Sequence, residues 1–176
     1  MHILQNNKLK IAVKNIGAEL CEISSIKNKT PFMWDANPNV WNSYAPNLFP
    51  IIGALKNDTY LFENKKYNLP KHGFVRHSKN IKLQKQTENS LTFVLFYDEE
   101  SLKSYPFKFE FYITYLLVDN NVQVIHSVKN CDDRTMHFSV GGHPAFKCPV
   151  FENENYSDYS LEFEHVEADS YHRQPA

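Results

Sequence analysis

The sequence predicts an all-β protein of antiparallel strands, a sandwich or part of one. Three observations carry this reading. Apolar residues recur along the chain with a period of two rather than 3.6. Aromatic residues make up 14% of the 176 residues, a share that suits a soluble protein rich in sheet. Helical signals are confined to two short stretches without a sustained helical period.

Each element follows from its local pattern. In "KLKIAVK", Leu9, Ile11 and Val13 share a face, flanked by Lys8, Lys10 and Lys14. "YLFENKKYNL" predicts two short strands around Asn64-Lys65, and "LTFVLFY" a strand entered from the turn-rich "TENS". "FKFEFYITYLLV" places Phe107, Phe109, Phe111, Ile113, Tyr115 and Leu117 on one face. Lys108 and Glu110 begin the other. The turn Asp119-Asn120-Asn121 then leads into "VQVIHSV", which completes an antiparallel hairpin. Near the end, "DYSLEFE" predicts a further strand with Tyr159, Leu161 and Phe163 on one face. "NPNVWNSY" and "DEESLKS" predict a helical turn or two each. No internal repeat, low-complexity tract or linker divides the chain, so residues 1–176 are expected to form a single domain.

Composition narrows the function classes. A net charge of -1 with scattered Lys and Arg predicts no nucleic-acid footprint. No stretch approaches membrane-spanning length and the N-terminus lacks the apolar core of a signal peptide, so no membrane partner is expected. Cys21, Cys131 and Cys148 form no CxxC pair and leave an odd count, which predicts a reducing cytoplasm.

Eight histidines are the main chemical resource. His2, His165 and His172 lie near the termini, while His126 and His137 read as sheet or structural residues. His72 and His143 differ because their neighbours constrain the backbone: "LPKHGFVRH" and "SVGGHPAFKCP". Glycine permits unusual angles or close approach, and Pro144 restricts His143 to extended geometry. No spacing of His, Cys or carboxylates fits a metal site, and no nucleophile elbow, P-loop or dinucleotide motif is present. Trp34 and Trp41 bracket "DANPNV", and Phe74 and Phe146 follow the two selected histidines by two and three residues. Aromatic faces beside polar groups suit sugar rings.

The order "MWDANPNVWNSYAPNLFPIIG", "LPKHGFVRH", "VGGHPAFKCP" resembles the aldose 1-epimerase (galactose mutarotase) family, in its LacX-like branch. The opening "NNKLKIAVKNIGAELCEISSIKNK" is similar to that branch too. The resemblance implies an antiparallel β-supersandwich, of which this chain is the N-terminal and central part, incomplete at its C-terminus. It implies interconversion of the α and β anomers of aldohexoses without metal or organic cofactor. A carboxylate takes the anomeric proton, a histidine protonates the ring oxygen, and the opened ring closes on the other face. His143 matches the general acid. His72 matches the second catalytic histidine, which also binds the sugar, with Phe74 and Phe146 as substrate-binding aromatics.

Two departures from the family pattern bear on activity. Ala54 stands where the branch has an arginine after the FPIIG glycine, and Lys56 lacks its forked donor set. The family's catalytic glutamate belongs to a C-terminal part absent from this sequence, and Glu162 and Glu164 match no motif for it. Three readings stay open: an epimerase, a carbohydrate-binding or vestigial protein without catalysis, and a β-sandwich interaction module. The expected partner is a small-molecule aldose, with self-association through exposed sheet edges.

Overall fold

A computed structural model of the chain describes residues 1–162 and 164–165. Its centre is the pair predicted from the longest alternating stretch. In chain order the strands are β1 (His2–Gln5), β2 (Leu9–Val13), β3 (Leu20–Ser25), β4 (Asn47–Leu48), β5 (Thr59–Phe62), β6 (Lys65–Asn68), β7 (Lys82–Gln86), β8 (Ser90–Phe96), β9 (Phe109–Val118), β10 (Asn121–Asn130) and β11 (Gly141–Gly142). One short helix, α1 (Glu99–Ser104), joins β8 to β9. Every pair of named strands is antiparallel, in the orders β1-β2-β3, β10-β9-β8-β7, β11-β4 and β5-β6.

The period-two pattern sorts side chains as its alternation requires. Phe109, Phe111, Ile113, Tyr115 and Leu117 of β9 are all buried, with more exposed residues between them. Leu91, Phe93 and Leu95 of β8 and Ile11 and Val13 of β2 enter the same core cluster. The two larger sheets therefore share one apolar interior. Phe49, fully buried on a loop, stacks on Phe111 with ring centroids 4.6 Å apart. Fully burying a side chain of this size stabilises the fold by about 1.5–3 kcal/mol.

Turn chemistry closes the hairpins. Glu63 and Asn64 both have positive φ in the two-residue link between β5 and β6, as right-handed strand twist favours. Asp98 caps α1: its carboxylate accepts from the backbone N–H of Ser101, whose hydroxyl donates to a backbone oxygen of Asp98.

The described part of "DYSLEFE" is not a strand. Tyr156–Asp158 form a 3₁₀ turn, residues 159–162 have no regular structure, and Leu161 is 85% exposed. Phe163 lies outside the described residues. The segment has no pairing neighbour among the described residues, and an unpaired strand leaves its backbone groups without ladder bonds. Five strands carry no clear sequence signal: β4 and β11 have two residues each, and the other three lack a pattern. β1 is short, β3 is mixed in burial, and β7 is mostly polar and exposed at a sheet edge.

Candidate active site

The site grows from the loop that follows β4. The segment 46–53 holds both selected histidines. The backbone N–H of His143 donates to Pro46 O at 3.1 Å, and that of Ser139 to Pro50 O at 2.8 Å. On the other side, the His72 backbone N–H donates to Gly53 O at 2.9 Å. The His72 ring lies with Nδ1 2.7 Å from Ile52 O. A carbonyl only accepts, so Nδ1 carries the proton, and Nε2 of the neutral ring keeps its lone pair.

Backbone conformation fixes the approach. His72 and Gly73 are both left-handed, with φ of +70° and +72°. Gly73 is required there: a Cβ would lie 2.1 Å from the Phe49 carbonyl oxygen, so this turn presses directly against the 46–53 segment. A non-glycine residue held in this region stores strain at the candidate site.

Of the two roles its sequence suggests, the glycine pair before His143 serves close approach rather than unusual angles. Neither Gly141 nor Gly142 has positive φ. They form β11 and pair with Leu48 and Asn47. A Cβ at Gly141 would approach Ile52 at 3.1 Å, whereas one at Gly142 would meet nothing within 4 Å. Close packing on Ile52, together with the β4 ladder, is what delivers His143.

The structure brings the two histidines together. Their ring centroids are 6.2 Å apart, and the Trp41 ring lies 5.0 Å from His143. Trp41 is held in turn by its backbone oxygen, which accepts from the Trp34 indole N–H at 2.9 Å. The two phenylalanines have their own contacts. Phe74 packs on Phe49 and Phe109 at the edge of the core, while Phe146 bridges to Met33 and is 56% exposed.

Beside His143 lies a cavity of about 280 Å³, just below the usual size of small-molecule sites. Asn47, Tyr115 and His126 line it together with Gly142, His143 and Pro144. Asn47 is only 2% exposed, and its side-chain nitrogen faces three acceptors: Gly17 O at 3.0 Å, Ala18 O at 3.1 Å and Tyr115 Oη at 3.1 Å. The Tyr115 hydroxyl itself donates to Ala18 O at 2.6 Å. With its nitrogen so committed, Asn47 Oδ1 is the acceptor for His126 Nε2 at 2.8 Å. Burial pushes the His126 imidazole below its ordinary pKa and favours the neutral ring. His126 is a residue of β10, as its sequence pattern suggests, and it also reaches this cavity. It shares the cavity with His143, an arrangement with no local signal because its partner lies 79 residues away.

A larger cavity of about 620 Å³ opens near Trp34, Tyr44 and Cys148, but none of the histidines line it. We take the smaller cavity as the chemical site because titratable and hydrogen-bonding groups converge there. No Asp or Glu lines it among the described residues. Nor does any group of three or more His, Cys, Asp or Glu among them form a metal-holding cluster.

An antiparallel β-sandwich that presents a loop-borne histidine pair, with a small, mostly apolar cavity carrying a few polar groups beside His143, is the class defined so far. Residues 1–173 match the aldose 1-epimerase family model, and the chain belongs to that family. It is 37% identical over 171 residues to the plasmid-encoded protein LacX of Lactococcus lactis subsp. lactis, covering 94% of this chain and 56% of that protein. Among solved structures, it resembles a galactose mutarotase related enzyme from Lactobacillus acidophilus at 43% identity and a TM-score of 0.86, covering 89% of this chain and 52% of that one. A galactose mutarotase-like protein from Lactobacillus casei matches at 33% identity and a TM-score of 0.79, with 83% and 49% covered. The chain spans about half the length of these relatives.

Proposed function

We propose that this chain binds an aldohexose in contact with both His143, at the cavity, and His72 beside it, and takes part in interconversion of its α and β anomers. The observation that carries this reading is the 6.2 Å separation of two imidazoles hung from one loop segment. At that distance a single pyranose ring contacts both. His143 acts as the general acid, protonating the ring oxygen as its bond to the anomeric carbon breaks. His72 hydrogen-bonds the sugar through Nε2 and supports charge that develops as the ring opens. Rotation about the bond beside the freed aldehyde, then reclosure, gives the other anomer. Phe146 offers an exposed ring to the sugar's C–H face, and Phe74 backs the turn that carries His72.

The base that removes the anomeric proton is, in this reading, the carboxylate that the family carries in its C-terminal part. A second reading, sugar binding without catalysis, is favoured by the lack of a carboxylate around the described cavity. Proton-exchange NMR of α-glucose and α-galactose separates the two. Anomer exchange accelerated by the chain and lost in His143→Ala supports catalysis. Shift changes without faster exchange support binding alone, and unchanged sugar signals would sink both readings. A missing base costs about 10²–10⁴-fold in rate, so the binding signal is the more sensitive readout.

The remaining assignments belong to the same proposal. Residues 1–176 act as one domain, the N-terminal and central part of the family's fold. The three free cysteines among the described residues support a reducing cytoplasm. Self-association is assigned to β10, a ten-residue strand at the edge of its sheet, with Val124 and Ile125 each more than 40% exposed.

A further inference from the structure

We propose that His126 is a third histidine of the sugar site, accepting a hydrogen bond from one ligand hydroxyl at its Nδ1; the inference rests on the sugar-binding reading above.

Three contacts fix the ring. Nε2 donates to Asn47 Oδ1 at 2.8 Å, and one face lies against Phe111, with centroids 5.7 Å apart and planes 11° from parallel. Register holds the backbone, since His126 pairs with Ile113 of β9. The tautomer is also fixed. Three acceptor oxygens surround the Asn47 nitrogen, so its oxygen must face His126, and the neutral ring carries its proton on Nε2. Nδ1 is then a lone-pair acceptor.

No described residue donates to that nitrogen. Among the described residues no buried side-chain nitrogen or oxygen lacks a partner, so an unpartnered Nδ1 is one that solvent reaches. The ring lines the same cavity as His143. A fixed acceptor beside a general acid, in a space sized for one small ring, suits a hydroxyl-rich ligand. Such a site discriminates strongly against an analogue lacking the matching hydroxyl, because the acceptor is then left unpaired. Asn47 is the positioning residue: its side chain orients His126, and its backbone pairs with Gly142, the residue before His143.

The test measures dissociation constants by NMR titration of the chain with D-glucose, D-galactose and the 2-, 3-, 4- and 6-deoxyglucoses. His126→Gln keeps an amide nitrogen near the Nε2 position for Asn47 but has no acceptor where Nδ1 stood. His126→Asn keeps an acceptor near Nδ1 and gives up the Asn47 bond. We expect one deoxy sugar to bind the unaltered chain about tenfold more weakly than glucose, the worth of one well-placed hydrogen bond. His126→Gln should weaken glucose by a similar factor and leave that one deoxy sugar unaffected, while His126→Asn retains glucose binding. Uniform weakening of every sugar by His126→Gln, or no weakening, overturns the assignment and leaves the sugar-site reading standing. Equal binding of all four deoxy sugars to the unaltered chain overturns it without any variant. If the unaltered chain binds none of the sugars, both readings fall together.

Discussion

Replacing Asn47 with Leu tests the polar network that ties the cavity floor to the β-sheet. The two side chains are close in size, so the change removes hydrogen bonds without opening a large hole. Gly17 is buried, and its carbonyl loses the side-chain donor that Asn47 supplies at 3.0 Å. Leaving a buried carbonyl unsatisfied costs about 1–3 kcal/mol. The bonds to Tyr115 Oη and His126 Nε2 are lost as well, each worth about 1 kcal/mol. Burying an apolar side chain in place of an amide offsets about 1–2 kcal/mol. The expected net loss is about 2 kcal/mol. Tyr115→Phe supplies the contrast. Its loss leaves Ala18 O with the Asn47 donor at 3.1 Å, so it should cost only about 1 kcal/mol. Urea unfolding followed by fluorescence of Trp34 and Trp41 measures both. With a slope near 2 kcal/mol/M, Asn47→Leu should lower the midpoint by about 1 M at constant slope. A midpoint within 0.2 M or so of the unaltered chain, or a larger loss for Tyr115→Phe, would refute this account of the network.

Three further outcomes are expected. Gly73→Ala should lose at least about 2 kcal/mol in urea unfolding, because the new Cβ meets the Phe49 carbonyl at a left-handed position; Gly142→Ala, with open space at its Cβ, should stay within about 0.5 kcal/mol. The folded His126 imidazole sits below its unfolded value of 6.5, so the unfolded chain takes up that proton first. Its contribution to stability is complete above pH 6.5 and falls as pH drops toward the folded value. A melting temperature measured from pH 7 to 5 should therefore fall less steeply in His126→Gln, and equal slopes would count against a buried neutral ring. Asp98→Ala should cost about 1 kcal/mol at pH 7 through loss of the α1 cap. The Ser101 backbone N–H holds the Asp98 carboxyl below its usual range, so this deficit should shrink below about pH 4, where the carboxyl protonates. A deficit unchanged at low pH would point away from the ionised cap.

The parts of the molecule legible in its sequence are those with local causes. The hairpin of β9 and β10 is legible because strand alternation repeats within ten residues. His72 and His143 stood out through the glycine and proline beside them. Where the cause is long-range, sequence was silent or misleading. The Asn47–His126 bond joins residues on different sheets, 79 positions apart, and no local pattern links them. "LEFE" alternates like a strand, yet alternation specifies only a face, not a neighbour to pair with. The sequence shows Trp41 only as one of two tryptophans flanking a loop. Its approach to His143 depends on the Trp34 indole bond, which no spacing rule encodes.

The 46–53 segment acts as a ruler for the two histidines, and this bears on how the chain tolerates changes in length. One added residue in an extended stretch advances the backbone by about 3.3 Å, half the present spacing of the two rings. An insertion between Pro46 and Gly53 would therefore separate the anchor of His143 from that of His72 while leaving both residues intact. The turn between β7 and β8 anchors neither histidine and should accept extra residues at little cost to the site. Engineering of this protein, whether circular permutation, tag insertion or loop grafting, has its natural entry points at such hairpins and a forbidden interval of eight residues from Pro46 through β4 to Gly53.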